Sequence, residues 1–205
     1  MRPTRIVLLV MAWVVLFAAG CKKNVVDTVV FRSALNSYYA NQPECLWIAP
    51  VKFPVQADTS KDAETKTYDA LTDAGLLARK PEEKKRFLIG SKQVNDYDLS
   101  DQGRSSWTPD PSQPGYGNFC YGHPQVTAID SQTAADDTGT RYNVTYHYGP
   151  ANLPGWANSA EMKTAFPKLA VETDGRQAAT ASLLKTDSGW QVQNVQPLNL
   201  GSGTM

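Results

Sequence analysis

The chain has 205 residues, of which 41% are hydrophobic, and its 20 Lys and Arg residues balance 20 Asp and Glu residues. This length suits one domain or two small ones, and 5 Trp, 9 Tyr and 6 Phe residues are enough for a hydrophobic core. A net charge of zero provides no strongly basic face for phosphates, so the composition predicts no nucleic-acid partner.

The first twenty residues have the pattern of a secretory signal peptide. Arg2 and Arg5 precede an uncharged apolar run over residues 6–19. This run is shorter than the about 20 residues that a bilayer span needs. The junction that follows reads FAAGC and ends at Cys21; it resembles a bacterial lipobox, with Ala18 where Leu is usual.

The lipobox resemblance implies that residues 1–20 are removed and that Cys21 carries acyl chains. Two or three chains attach a protein to a bilayer effectively permanently, whereas one chain binds only marginally. Lys22 and Lys23 stand where an Asp would resemble an inner-membrane retention signal. We therefore expect a lipoprotein of the outer membrane that faces the periplasm or the cell surface. The alternatives are an N-terminal transmembrane anchor and a secreted form.

Two cysteines remain after Cys21 is assigned to lipid. Cys45 and Cys120 both lie in aromatic, strand-like surroundings, and the expected compartment oxidises thiols. We predict a Cys45–Cys120 disulfide in preference to two free thiols. In the chain-entropy model, closing a loop of this size contributes roughly 4 kcal/mol.

The first predicted element of the mature chain is a helix over residues 24–40. Its apolar side chains recur at i, i+4 spacing, and the pattern ends before Asn41. The apolar positions are Val26, Val30, Ala34 and Tyr38, with Phe31, Leu35 and Tyr39 beside them. Because this helix begins a few residues after Cys21, we expect the folded body to lie close to the membrane.

Residues 61–104 have an order that resembles the second half of a winged-helix domain. A helical pattern ends at Gly75, a strand begins at Leu76, and a charged connection leads to a returning strand over residues 93–99. In regulators of that family the helix enters the DNA major groove. Here the helix is acidic and the leader exports the chain, so the resemblance implies a scaffold and no nucleic-acid partner.

A loop rich in Pro and Gly is predicted over residues 107–118, with aromatic residues in and around it. The loop is a domain boundary, a binding loop or a stiff crossover. The aromatic residues are candidates for a platform that binds a glycan or a protein, or else they fold back over a sheet edge. These residues are Trp107, Tyr116, Phe119, Tyr121 and Trp156.

From residue 119 onward the pattern becomes that of an antiparallel sheet. Residues 141–148 alternate, and the face with Tyr142, Val144, Tyr146 and Tyr148 is expected to be core. A short helix begins near residue 158. Three further strands follow, over 169–173, 177–186 and 190–196, with turns at Asp-Gly and Asp-Ser-Gly between them.

These elements predict an α+β protein. N-terminal helices, including a winged-helix-like helix with its β-hairpin, precede an antiparallel β-sheet with one short helix. The predicted segments are a lipoprotein signal peptide over 1–20, a helical and winged-helix-like portion over 21–106, the Pro/Gly-rich loop over 107–118, a β-rich portion over 119–197 and a disordered tail over 198–205.

The sequence contains no recognisable catalytic motif. His123 and His147 are the two histidines and lack ligand-like neighbours, so we expect no metal and no other cofactor. We predict a non-enzymatic envelope lipoprotein of a Gram-negative-type bacterium that binds a protein or cell-wall partner or supports the envelope. One alternative is an inhibitor or immunity lipoprotein that neutralises a toxin or a wall-degrading enzyme. The other is an envelope hydrolase, which needs a carboxyl group in an apolar pocket.

The lipid anchor is tested by metabolic labelling with a fatty-acid analogue. We expect the wild-type chain to be labelled and the Cys21→Ser variant to remain unlabelled, because the thiol is the acylation site. Equal labelling of both chains, read by in-gel fluorescence, would contradict the anchor.

Overall fold

The computed structural model describes residues 27–85 and 91–198, without the side chains of Glu64 and Lys85. The predictions for the signal peptide, for Cys21 and for the tail beyond Leu198 fall outside these described residues. Within the two ranges, no helix is both long and apolar enough to span a bilayer.

The described chain contains short helices and ten strands. The helices are α1 (Thr28–Tyr39), α2 (Asp62–Asp73), α3 (Asp101–Ser106), a 3-10 helix (Gly155–Asn158), α4 (Ala160–Ala165) and α5 (Pro167–Glu172). The strands are β1 (Glu44–Cys45), β2 (Val51–Lys52), β3 (Val55–Asp58), β4 (Leu77–Lys85), β5 (Ser91–Leu99), β6 (Trp107–Pro109), β7 (Tyr116–Ala134), β8 (Arg141–Ala151), β9 (Gln177–Thr186) and β10 (Gly189–Leu198).

The predicted α+β fold class is wrong, because the protein is mostly β. Strands make up 47% of the described residues and helices 27%, and a large curled antiparallel sheet dominates. Segments that the sequence pattern places in loops join this sheet: β2 and β6 pair with the first half of β7. Backbone pairing with a distant strand leaves no local periodicity, so these short strands were not predicted.

Strand β7 is 19 residues long and organises the large sheet. Its first half pairs with three short strands, β1, β2 and β6. Its second half pairs with β8. The sheet then continues through β9 to β10 in antiparallel order. Residues 169–172 of the strand predicted over 169–173 lie instead in α5. This helix begins at Pro167, a position at which the missing N–H of proline costs no hydrogen bond.

A separate sheet of three strands has the order β3-β5-β4. Helix α2 connects β3 to β4, and Gly75 follows it with φ of 76°, a conformation that glycine adopts without strain. The hairpin pairs Leu77 with Leu99 at its base and Lys85 with Ser91 at its far end. The helix, glycine and hairpin expected over residues 61–104 are therefore present, although β4 also includes residues that were assigned to the charged connection.

Two hydrophobic cores lie along β7, the first at its first half with Phe119 and Tyr121 and the second at its second half with Val126. The first core lies between the small sheet, α2, α4 and α5, and includes Leu71, Tyr97 and Leu169. In the second core, α1 packs against the large sheet. The buried side of α1 is the predicted Phe31, Leu35 and Tyr39, whereas Val30 and Tyr38 are exposed. The predicted core face of β8 is confirmed for Tyr142, Val144 and Tyr146.

Two buried phenols hydrogen-bond each other inside the second core. The hydroxyl oxygens of Tyr39 and Tyr146 are 2.7 Å apart, which satisfies both polar groups away from water. Burial raises the pKa of Tyr39 to about 12 and also raises the pKa of Tyr146. The pair therefore stays neutral at physiological pH and joins α1 to β8.

Gly122 marks the point on β7 where pairing with β1 gives way to pairing with β8. Its φ is 131°, and a Cβ atom there would lie 2.3 Å from the carbonyl oxygen of Ala151. Only glycine avoids both the strained backbone and this collision. The long strand can therefore bend between the two cores at this residue.

We expect Gly122→Ala to lower the free energy of unfolding by at least about 2 kcal/mol, because it adds backbone strain and a steric clash. The matched control is Gly149→Ala on β8, where a Cβ would meet nothing within 4 Å. The control should change stability by less than about 1 kcal/mol. Urea denaturation of both variants measures the difference, and equal stability would contradict the role of Gly122.

Candidate functional site

The most exposed large apolar side chain of the described residues belongs to Ile48, with a fractional exposure of 101%. It lies in the segment of residues 46–50 that leaves β1 and returns to the sheet at β2, which we call the Ile48 loop. Isoleucine is among the residue types most often buried. Single exposed apolar residues are common on protein surfaces, so the interest of Ile48 lies in the restraints that hold its segment in this position.

A disulfide between Cys45 and Cys120 ties the start of the Ile48 loop to β7, as the sequence predicted. The two cysteines are also directly opposed in the β1–β7 pairing. Leu46 then donates its N–H to the carbonyl oxygen of Phe119 at 3.0 Å. The base of the loop is therefore held by a covalent bond and by backbone pairing.

Asn118 holds the middle of the loop with its side-chain amide. Its Oδ1 accepts from the N–H of Trp47 at 3.2 Å, and its Nδ2 donates to the carbonyl oxygen of Trp47 at 2.7 Å. The amide thus replaces the backbone partner that Trp47 lacks where the segment bulges away from β7. Pairing resumes two residues after Ala49, where Val51 lies opposite Gly117.

The side chain of Trp47 points into the first core. Its ring centroid lies 5.7 Å from that of Phe166, 6.2 Å from Phe119 and 6.3 Å from Phe53. Leu46 is buried and Trp47 packs against the first core, so the two residues before Ile48 anchor the loop. The orientation of Ile48 is therefore set by packing as well as by hydrogen bonds.

A second exposed group lies beside the loop. The ammonium of Lys52 is 5.8 Å from the ring centre of Tyr116, and Tyr116 is 37% exposed. The segment before Tyr116 is an ordered turn, because Asp110 Oδ1 accepts from the N–H and the hydroxyl of Ser112 and from the N–H of Gln113. These bonds hold the pKa of Asp110 below its usual range. Ile48, Lys52 and Tyr116 together form what we call the Ile48 surface.

The predicted aromatic platform is not formed by the five residues proposed for it. Phe119 and Tyr121 are buried, and Trp107 and Trp156 pack against the same core. Pairing of Trp107 with Phe119 in β6 and β7 brings their ring centroids to 4.9 Å, so the rings cover the sheet as the alternative expected. Tyr116 is the one member of the set on the outside.

Sequence reasoning missed Ile48, because the segment that follows Cys45 has a strand-like pattern. A weak signal was present. Pro50 follows Ile48 closely, and a proline cannot donate to a ladder, which favours a bulge or an edge over a paired strand. Nothing local distinguishes the outward Ile48 from the inward Leu46, since the Asn118 amide that sets the bulge is distant in the chain.

A charged cluster connects β1, β7 and α5 close to the disulfide. Lys168 Nζ lies 3.1 Å from Glu44 Oε2 and 3.4 Å from Glu172 Oε1, and the hydroxyl of Tyr121 donates to Glu172. Burial raises the pKa of Glu172, against the hydrogen bond from Tyr121 and the charge of Lys168, which lower it. These partners indicate a structural clamp that joins β1, β7 and α5.

The cavities that open to solvent among the described residues include the following three. A groove of about 520 Å³ lies between α2 and α4, a cavity of about 370 Å³ lies between β3 and α2, and one of about 220 Å³ lies near the turn end of β8 and β9. Glu172, the carboxyl with the raised pKa, lines none of the three.

His147 Nδ1 lies 2.8 Å from Asp130 Oδ2. No group of three or more His, Cys, Asp or Glu side chains suited to a metal occurs among the described residues.

We expect Asn118→Ala to loosen the Ile48 loop, because it removes both hydrogen bonds to the backbone of Trp47. Loss of two partly buried hydrogen bonds should lower the free energy of unfolding by about 1–3 kcal/mol and accelerate amide exchange at Trp47. Asn143→Ala, which removes one exposed side-chain bond to Ser182, is the control and should change stability by less than about 0.5 kcal/mol. Unchanged exchange at Trp47 would contradict the restraint.

Comparison of the chain with protein-family models, with curated proteins and with solved structures finds no match. The resemblances to a lipobox and to a winged-helix domain therefore stay predictions. What the described residues do establish is a disulfide-anchored loop with a fully exposed isoleucine. Any function for this chain has to be argued from that geometry.

Proposed function

We propose that the protein is a lipid-anchored outer-membrane lipoprotein that binds a protein partner, without catalysis, through the Ile48 surface. The lipid anchor rests on the lipobox resemblance at Cys21. The Cys45–Cys120 disulfide supports an oxidising compartment such as the periplasm, since structural disulfides are rare in the reducing cytosol. Both features agree with a chain that acts outside the cytoplasm.

The full exposure of Ile48 is the observation that carries the binding proposal. Moving an isoleucine side chain from water into an apolar pocket contributes about 1.5–3 kcal/mol. The disulfide, the Asn118 amide and the packing of Trp47 against the first core already hold the loop, so little conformational entropy remains to be lost on binding. Pre-organised apolar residues at the centre of a contact are typical of the residues that dominate binding energy.

The chemistry around Ile48 defines the partner. Lys52 is exposed four positions further along the chain and lies over the ring of Tyr116. The complementary surface is an apolar pocket for Ile48 with an acidic group at its rim for Lys52. A rim charge of this kind mainly affects the association rate and specificity.

One more specific form of this function is an inhibitor or immunity protein. A convex, covalently anchored loop fits a concave cleft, and the cleft of a toxin or a wall-degrading enzyme is such a partner surface. The contact would then be the Ile48 loop in place of the predicted loop over residues 107–118. The hydrolase alternative has less support, because Glu172 is bound by Tyr121 and Lys168 and lines none of the three cavities.

The proposal is tested by site-specific photocrosslinking in living cells, with the full lipidated chain and p-benzoylphenylalanine at position 48. We expect one discrete protein adduct, because an inserted side chain touches one pocket. Val171 on α5, which is 56% exposed, is the matched control position and should not give this adduct.

A competition arm makes the result specific. Purified wild-type chain added in excess should suppress the adduct, whereas the Ile48→Ser chain should not. If the partner is an enzyme, its activity should fall on addition of the wild-type chain and not of Ile48→Ser, which identifies the inhibitor form. Absence of an adduct, the same adduct from position 171, or crosslinks only to lipid or to a second copy of the chain would refute the proposal.

A further inference from the structure

A cavity of about 370 Å³ opens between β3 and α2 and is separate from the Ile48 surface. This volume is in the range of small-ligand sites, which is about 300–1,000 Å³. The lining residues share one property, which is that none of them carries a charge. They are Trp47, Gln56, Ala57, Ala63, Thr67 and Tyr68.

Two aromatic residues, Trp47 and Tyr68, line the cavity, and each packs against other aromatic rings. The ring of Trp47 packs against Phe53, Phe119 and Phe166, as described for the Ile48 loop. The ring centroid of Tyr68 lies 6.2 Å from that of Phe53 and 5.2 Å from that of Tyr97. Trp47 and Tyr68 are only half-buried, so each ring keeps some surface on the cavity side.

The lining also contains two polar residues, Gln56 and Thr67. The Gln56 amide bonds Lys84 and Glu82 over the face of the small sheet opposite α2, so it does not serve a ligand between β3 and α2. Thr67 has a hydroxyl that can donate and accept.

We infer that this cavity binds a neutral oligosaccharide. Pyranose rings present an apolar face of C–H groups that suits aromatic walls, and hydroxyls that can bond the hydroxyl of Thr67. A phosphate or carboxylate ligand would need a cationic side chain, and none of the side chains that the structure describes supplies one to the lining. The small side chains of Ala57 and Ala63 leave room for a ring between the walls. The groove between α2 and α4 differs, since Asp62, Asp69 and Asp73 line it.

The glycan site goes beyond the proposed protein contact and uses other side chains. The direct test is isothermal titration of the full mature chain in detergent with chitotetraose, cellotetraose and maltotetraose. We expect saturable binding of at least one of them at millimolar concentration or below. Chitotetraose binding would indicate a cell-wall glycan as the source, and binding of either glucan would indicate an extracellular polysaccharide.

A substitution that fills the cavity tests the location of the glycan site without removing a contact of the hydrophobic core. Ala63 is exposed on α2 and lines the cavity, so Ala63→Trp should weaken glycan binding by about tenfold or more. Lys66→Trp places the same side chain on the groove side of the same helix and should bind like the wild type. Thr67→Val, which removes only the hydroxyl, should weaken binding by a few fold.

Two results would overturn the inference. One is the failure of wild-type chain to bind any of the three glycans, and the other is equal binding by wild type and Ala63→Trp. Ile48→Ser should retain glycan binding, because Ile48 does not line the cavity. Loss of the protein adduct and loss of glycan binding therefore report on separate sites.

Discussion

The pairing of strand β7 on both of its edges is the constraint on which this structure depends. Its first half binds β1, β2 and β6, and its second half binds β8, so one strand contributes to both cores. Gly122 lets the chain bend between these halves. The anchors of the Ile48 loop, Asn118 and Cys120, are both residues of β7. The large sheet therefore sets the position of the Ile48 loop.

The Ile48 loop shows how a polar side chain and a covalent bond shape a surface that composition alone would not suggest. Asn118 satisfies the backbone of Trp47, which would otherwise expose unpaired groups at a sheet edge. With Leu46 and Trp47 packed inward, an exposed position remains for Ile48. Burying Ile48 would require breaking these anchors. Its exposure is therefore a property of the native fold, which is the reason for assigning it a partner.

Structural elements could be predicted where the sequence signal is local. They could not be predicted where they depend on pairing with a strand that is distant in the chain. Helix α1 and the inward face of β8 follow from periodicity, and the helix-glycine-hairpin order follows from Gly75 and two apolar runs. The disulfide followed from compartment and cysteine count. The predicted fold class was wrong, and the aromatic platform is not formed by the residues proposed for it. Both results depend on β2 and β6, which form strands only by pairing with β7. The exposure of Ile48 likewise depends on Asn118, 70 positions away.

The Cys45–Cys120 bond has a topological consequence for the chain. It closes a covalent ring of the chain between two residues separated by 75 positions, and that ring contains the whole three-stranded sheet with α2 and α3. A single cut by a protease anywhere inside the ring would open it without releasing a fragment. The parts of the chain before and after the cut would stay joined through the disulfide. A molecule cut in this way would separate into two pieces only on reduction.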